Sequence, residues 1–255
     1  MSKNNGKALP FSVSQNFLTS RKIIDRLLRL TDLSEADTIL EIGAGKGHIT
    51  KALADTGKQV ITYEIDPKLA EKLAPQLPNN VRLIPNDFLR CPLPKGTYKV
   101  FANIPFSRTT EIVRKLTGAE NAPQSMWLIM EKGAAKRFCG QPRESRISLQ
   151  IKPFFDVQIV YHFRREDFHP MPRVDIVMLE FQQKSHSDLP VSQQAAFSAF
   201  FEQVHRKGLY KLLTKKQVST ALRLAGLPPI EPSGNMQYVQ WLCLFRCWQQ
   251  FGRKV

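Results

Sequence analysis

The chain has 255 residues, and its 37 Lys and Arg against 22 Asp and Glu leave a formal charge of +15, with 42% of residues hydrophobic. That composition excludes a disordered, collagen-like or disulfide-stapled chain, and no apolar run reaches the ~18 residues that a membrane span needs. Met1–Phe17 lacks an apolar signal core and the four cysteines (Cys91, Cys139, Cys243, Cys247) are scattered, so a soluble cytoplasmic protein with a polyanionic partner is expected.

The first two-thirds of the sequence alternate short apolar runs with amphipathic stretches. Thr38–Ile42 reads as a strand, followed by a glycine cluster and a helix over His48–Ala54. Gln59–Glu64 is β-branched and ends on an acid, and Pro67 opens the next helix where its missing N–H costs nothing. Val81–Ile84 and Lys99–Ala102 are further strands; Thr109–Leu116 has helical spacing, and Met126–Met130 is wholly apolar. This rhythm predicts a mostly parallel sheet with helices on both faces. Phe154–Phe163 and Val174–Phe181 are β-rich with no helix between them and read as an antiparallel pair at the sheet edge.

Near Lys184–Gln194 the composition turns polar, and beyond it Ala195–Val204, Lys216–Ala225 and Met236–Gln250 carry helical spacing. A boundary is therefore expected at about residue 185, giving domains 1–184 and 185–255. The second holds 9 basic and 3 acidic residues and is the more basic per residue.

Glu41-Ile42-Gly43-Ala44-Gly45-Lys46-Gly47 sits between a strand and a helix, where glycines let the backbone turn tightly and approach a ligand. The spacing is G-x-G-x-G, not the G-x-G-x-x-G of a dinucleotide site, and no Ser or Thr follows Lys46 as a P-loop requires. A plain strand–turn–helix connection has the same glycines. The acid Glu64, 23 residues after Glu41 at the end of the next strand, favours a ligand with a ribose. Asn86-Asp87-Phe88 ends the third strand, where an Asp can take an adenine amine beside an apolar ring. The three acids suit S-adenosylmethionine, which carries a sulfonium, an ammonium, a ribose and an adenine.

Asn103-Ile104-Pro105-Phe106 follows the fourth strand at the carboxyl edge of the sheet, where open α/β sheets bind ligands. The lone pair of an adenine N6 is delocalised into its ring. Two acceptors taking both N–H hydrogens, the Asn103 amide oxygen and the Ile104 carbonyl, favour a pyramidal nitrogen. Pro105 stiffens the turn, and Phe106 offers a stacking face worth ~1–3 kcal/mol. Asn and Pro are also common in ordinary turns, so the tetrapeptide alone does not establish a catalytic role.

Taken together, Gln15-Asn16-Phe17-Leu18, the glycine loop, Glu64-Ile65-Asp66, Asn86-Asp87-Phe88, Asn103-Ile104-Pro105-Phe106 and Phe168-His169-Pro170-x-Pro172-x-Val174 resemble, in order, the rRNA adenine N6-methyltransferases. Ser14–Ser20, Glu41–Thr50 and the Ala102–Phe106 segment are similar to the Erm branch, which methylates one adenine in the peptidyl-transferase loop of 23S rRNA and confers macrolide–lincosamide–streptogramin B resistance. The resemblance implies a class I (Rossmann-like) methyltransferase domain with a small all-helical C-terminal domain. It implies S-adenosyl-L-methionine as cofactor, 23S rRNA as partner and a monomer without a membrane. By the resemblance the cofactor contacts are Asn16, Leu18, Gly43, Gly45, Glu64, Ile65, Asp87, Phe88 and Asn103. The catalytic turn is Asn103, Ile104, Pro105 and Phe106, with Phe168 stacking on the other side of the flipped base. Many relatives carry Tyr where this chain has Phe106; stacking does not need the hydroxyl.

Arg108, Arg114, Lys132, Arg137, Arg164, Arg165, Arg206 and Lys207 are expected to contact RNA phosphates. A basic run is also what a solvated face looks like, so position near the sheet edge carries that expectation. Cys243 and Cys247 lie four apart on an apolar helix and read as buried structural cysteines; two ligands do not close a metal site, and no metal is expected. Alternatives are a small-subunit rRNA adenine dimethyltransferase or a noncatalytic RNA-binding factor of the same fold. A DNA adenine methyltransferase would carry a D-P-P-Y turn, which is absent.

Overall fold

Five strands form a parallel block in the computed structural model, which describes residues 16–252. They are β2 (Thr38–Ile42), β3 (Gln59–Tyr63), β4 (Val81–Ile84), β5 (Lys99–Asn103) and β6 (Ser125–Glu131), all spanning their predicted runs except β3, which ends one residue before Glu64. With β7 (Phe155–His162) and β9 (Ile176–Gln183) they make a seven-stranded sheet in the order β4-β3-β2-β5-β6-β9-β7. The registers Leu40↔Ile61, Leu40↔Val100, Tyr63↔Ile84 and Ala102↔Leu128 bring the carboxyl ends of β2 to β5 side by side. The chain runs outward from β2 to β4 and then returns to the other side of β2 as β5. That reversal opens a crevice at the carboxyl edge between β2 and β5.

Local chemistry accounts for the elements. Strand β6 is buried from Ser125 to Met130, as a central strand covered on both faces must be. Helix α2 (His48–Ala54) starts immediately after Gly47 at φ +79°, and α3 (Pro67–Leu73) is capped by Asp66, whose carboxylate accepts from Lys68 N–H at 2.9 Å. Backbone hydrogen bonds from Phe163 N–H to Ile176 C=O and from Lys184 N–H to Phe154 C=O run β7 and β9 antiparallel, as their sequence suggested. Ahead of the sheet lie β1 (Phe17–Leu18) and α1 (Arg21–Leu28); β1 pairs antiparallel with β8 (Phe168–His169). Helix α1 is not foreseen from the sequence; it buries Ile24 and Leu27, three apart. Helices α5 (Lys132–Cys139) and α6 (Arg146–Ile151) are likewise not foreseen, being only eight and six residues long.

Two compact units emerge from the contacts. One takes in residues through Ala134 together with Ile159–Phe181; the other comprises Ala135–Gln158 and Gln182 onward. The chain thus passes between units three times, rather than once at 184/185. Within the second unit, α7 (Gln194–Lys207), α8 (Leu209–Leu212), α9 (Lys215–Leu224) and α10 (Tyr238–Phe251) enclose Phe197, Phe200, Leu212, Leu222, Trp241 and Phe245. Helix α9 begins with a reciprocal cap: Gln217 N–H donates to Thr214 Oγ1 at 3.2 Å and Thr214 N–H to Gln217 Oε1 at 2.7 Å. Cys243 and Cys247 are half-buried rather than buried, against this core, and the Cys243 thiol donates to Ala221 C=O at 3.5 Å. Among the described residues no helix is long and apolar enough to cross a membrane, and no three His, Cys, Asp or Glu converge as metal ligands.

Candidate active site

The crevice holds a hollow of about 550 Å³, counting its open mouth, lined by Asn16, Phe17, Gly43, Gly45, Glu64, Ile65, Asn103, Ile104, Pro105 and Phe106. It therefore unites the arm, the glycine loop, the acid ending β3 and the turn ending β5. Ser14 and Gln15 of the arm motif lie outside the described residues.

Glu64 is the joint between loop and strand. One carboxylate oxygen accepts from Gly45 N–H at 2.7 Å and the other from Asp66 N–H at 2.9 Å, and the side chain is buried. The glycines have a structural reason: Gly43, Gly45 and Gly47 all have positive φ, and a Cβ on Gly45 would lie 2.7 Å from the Phe17 ring. Phe17 lies across the loop, with the Lys46 ammonium 5.1 Å from its ring centroid.

The arm is also tied to the Asn103–Phe106 turn. Asn103 Nδ2 donates to Asn16 C=O at 2.7 Å, which leaves the amide oxygen as the group's acceptor. Ile104 spends its N–H on Ile129 C=O at 3.2 Å and buries its side chain. Pro105 and a half-buried Phe106 complete the wall, and Arg108 N–H closes the turn onto Pro105 C=O at 3.0 Å.

Glu41 has a different part from the one its position suggests. It is buried beneath the loop and accepts from Thr50 Oγ1 at 2.6 Å and Thr62 Oγ1 at 2.7 Å. It is a floor residue and does not line the hollow. Burial, with the charge of Glu64 added, raises its pKa from 4.5 to about 7 against the lowering effect of the two hydroxyls. The folded chain therefore binds this proton more tightly than the unfolded chain does. Its contribution to stability is full below 4.5 and is lost as pH rises through about 7. Glu41→Gln is expected to remove that decline, so urea midpoints of the two proteins should diverge between about pH 5 and about pH 8, with the variant gaining at the alkaline end. Parallel profiles would refute this.

Asp87 and Phe88 are not among the residues that line the hollow. Asp87 Oδ1 accepts from Leu89 N–H at 3.0 Å and Oδ2 from Arg108 Nη1 at 2.9 Å, and buried Phe88 meets Tyr63 edge-on at 5.4 Å. Leu18 is in the core. Phe168, expected to stack on a base, has no exposed surface: it packs edge-on against Phe163 at 5.1 Å while β8 pairs with β1. A ring without accessible surface offers no face to a nucleotide; in this structure it anchors the arm.

Of the cations assigned to RNA, Arg114, Arg137, Arg164 and Arg206 are exposed and Lys207 is half-exposed. Lys132 and Arg165 both reach Asp175, at 3.9 and 3.1 Å. Arg108 is held by Glu111, three residues on, and by Asp87, which sequence spacing does not indicate.

The sequence model of the ribosomal RNA adenine dimethylase family matches residues 6–240 of the chain. The chain belongs to this family. It is similar to an rRNA adenine N-6-methyltransferase of Limosilactobacillus reuteri, 35% identical over 243 residues that cover 94% of this chain and 97% of the relative. The crystal structure of the 23S rRNA methyltransferase ErmE superposes with a TM-score of 0.79 at 27% identity, covering 92% of this chain and all of the other. A dimethyladenosine transferase from Plasmodium falciparum has the same fold, with a TM-score of 0.68 at 21% identity over 92% and 98% of the two chains. The protein is thus an S-adenosylmethionine-dependent rRNA adenine N6-methyltransferase. The hollow suits that cofactor: glycine backbone without Cβ atoms faces it, and a buried acid at the end of β3 matches a ribose.

Proposed function

We propose that the enzyme methylates N6 of a single adenine in the peptidyl-transferase loop of 23S rRNA and so confers macrolide–lincosamide–streptogramin B resistance. One observation carries the reading: the Asn103–Phe106 turn lines the same hollow as Gly43, Gly45 and Glu64, with the Asn103 amide anchored through its nitrogen. Similarity to ErmE at 27% identity supports the choice of 23S over small-subunit rRNA.

When bound, S-adenosylmethionine supplies a methyl carbon on a positively charged sulfur. The chain's own residues prepare the nucleophile. The target adenine leaves its stack, at a cost of a few kcal/mol, and Phe106 stacks on it. The Asn103 amide oxygen and the Ile104 carbonyl accept the two N–H hydrogens and so localise the lone pair. The turn's anchors on Ile129 and Asn16 hold both acceptors in place, converting the reaction to one of proximity. The surplus proton leaves N6 to water.

Arg114, Arg137, Arg164, Arg206 and Lys207 neutralise RNA phosphates, and the basic helical unit shares in RNA recognition. The enzyme works as a monomer on ribosomal RNA in the cytoplasm. Reverse-transcriptase stop mapping tests the target: protein-free 23S rRNA incubated with enzyme and cofactor is expected to acquire one stop, in the peptidyl-transferase loop. Stops in 30S substrate alone would replace the reading with the small-subunit one, and an absence of cofactor binding would replace it with a noncatalytic RNA-binding role.

A further inference from the structure

Helix α4 (Thr109–Thr117) starts at the end of the catalytic turn, and two of its neighbouring cations reach back to the β4 turn. At its N-cap, Arg108 donates through Nη1 to Asp87 Oδ2 at 2.9 Å and through Nη2 to Glu111 Oε2 at 3.3 Å. Seven residues on, the Lys115 ammonium donates to Phe88 C=O at 2.6 Å and to Cys91 C=O, and lies 4.6 Å from the Phe88 ring centroid. Two helical turns separate these residues, so they lie on one face and grip the 87–91 segment at both ends. The grip joins the turn that prepares the target base to the segment that, on the reading above, receives the cofactor's adenine.

We infer that Arg108 is a positioning residue for the cofactor's adenine: from the catalytic turn it fixes the Asp87 carboxylate as an acceptor for the adenine amine. The inference rests on the reading of Asp87 as that acceptor. Each Asp87 oxygen already takes one hydrogen bond, from Leu89 N–H and from Arg108, and each keeps a second acceptor position. A carboxylate held in this way accepts only, so it favours a 6-amino purine over a 6-oxo purine. Partial burial pushes the Asp87 pKa up, but the Arg108 and Leu89 hydrogen bonds and the charges of Arg108 and Arg90 hold it below the ordinary range. The other charged groups around it are Glu111, which shares Arg108, and Lys115. A guanidinium committed to two carboxylates is a poor phosphate ligand, whereas exposed Arg114, six residues further on, forms no ion pair among the described residues.

Calorimetry with S-adenosylmethionine and steady-state kinetics on 23S rRNA test this in Arg108→Met, Arg108→Lys, Asp87→Ala and the Arg108→Met/Asp87→Ala pair. Arg108→Met is expected to weaken cofactor binding about tenfold, the loss of one charge-assisted hydrogen bond. Its KM for RNA and the salt dependence of RNA binding are expected to stay as in the wild type. Its cofactor affinity is expected to fall on acidification at a higher pH than the wild type's, because Asp87 then titrates nearer its ordinary range. Arg108→Lys recovers part of the loss. The double variant binds no worse than Asp87→Ala, since Arg108 acts through that carboxylate. Wild-type cofactor affinity in Arg108→Met, with a raised KM for RNA and a salt slope reduced by about one charge, makes Arg108 an RNA contact and overturns the inference. Wild-type affinity in Asp87→Ala overturns the reading of Asp87 itself.

Discussion

Asn103→Ala is expected to lower kcat about 10²- to 10³-fold, on the scale of removing one preorganised polar group from a reacting centre. The substitution deletes the amide oxygen proposed to accept an N–H of the target amine. It also deletes the 2.7 Å hydrogen bond from Nδ2 to Asn16 C=O, which fixes the amide's orientation. Asn103→Asp separates the two losses: it keeps an acceptor but places a second acceptor against the Asn16 carbonyl, so it is expected to fall between alanine and the wild type. Single-turnover transfer from labelled cofactor to a 23S rRNA fragment measures both. Transfer by Asn103→Ala at the wild-type rate would remove the turn from the chemistry and with it the catalytic reading.

Glu64→Ala is expected to weaken S-adenosylmethionine binding about 100-fold, measured by calorimetry. The carboxylate is worth more than a ribose contact because both of its oxygens already hold backbone. Gly45 N–H and Asp66 N–H donate to them, and in a buried site each orphaned donor costs ~1–3 kcal/mol. Glu64→Gln is nearly as harmful by the same count: one amide oxygen satisfies one of the two N–H groups, and the amide nitrogen then faces the other. An unchanged dissociation constant in Glu64→Ala would mean that the hollow beside Gly43 and Gly45 is not the cofactor site.

Charged partners separate what spacing foretells from what it does not. Asp87 and Arg108 lie 21 residues apart on different elements, and neither periodicity nor a motif predicts their ion pair. In the sequence Arg108 reads as one more cation of a basic protein; in the fold it is paired with Asp87 and Glu111. Glu41 and Glu64 are both acids near one glycine loop and look equivalent as ligands. The structure divides them: Glu41 lies within β2 opposite Thr62 and ends under two threonine hydroxyls, whereas Glu64 lies just beyond the end of β3, where Gly45 N–H and Asp66 N–H hold it at the hollow's wall.

The sequence by itself determined the parallel β/α order, the glycine loop, the acid ending β3 and the turn ending β5, because each depends on contacts within a few residues: apolar periodicity, positive-φ glycine, a proline-fixed φ. It also determined the family, since six short segments occur in one order. Only the tertiary structure decided that β2 and β5 are neighbours, which gathers those segments at one crevice. It alone seated Phe168 in the core beneath the arm, tied Asn103 to Asn16 and joined residues 135–158 to the C-terminal helices. These outcomes rest on burial and hydrogen bonds between residues distant along the chain, for which local propensity carries no signal.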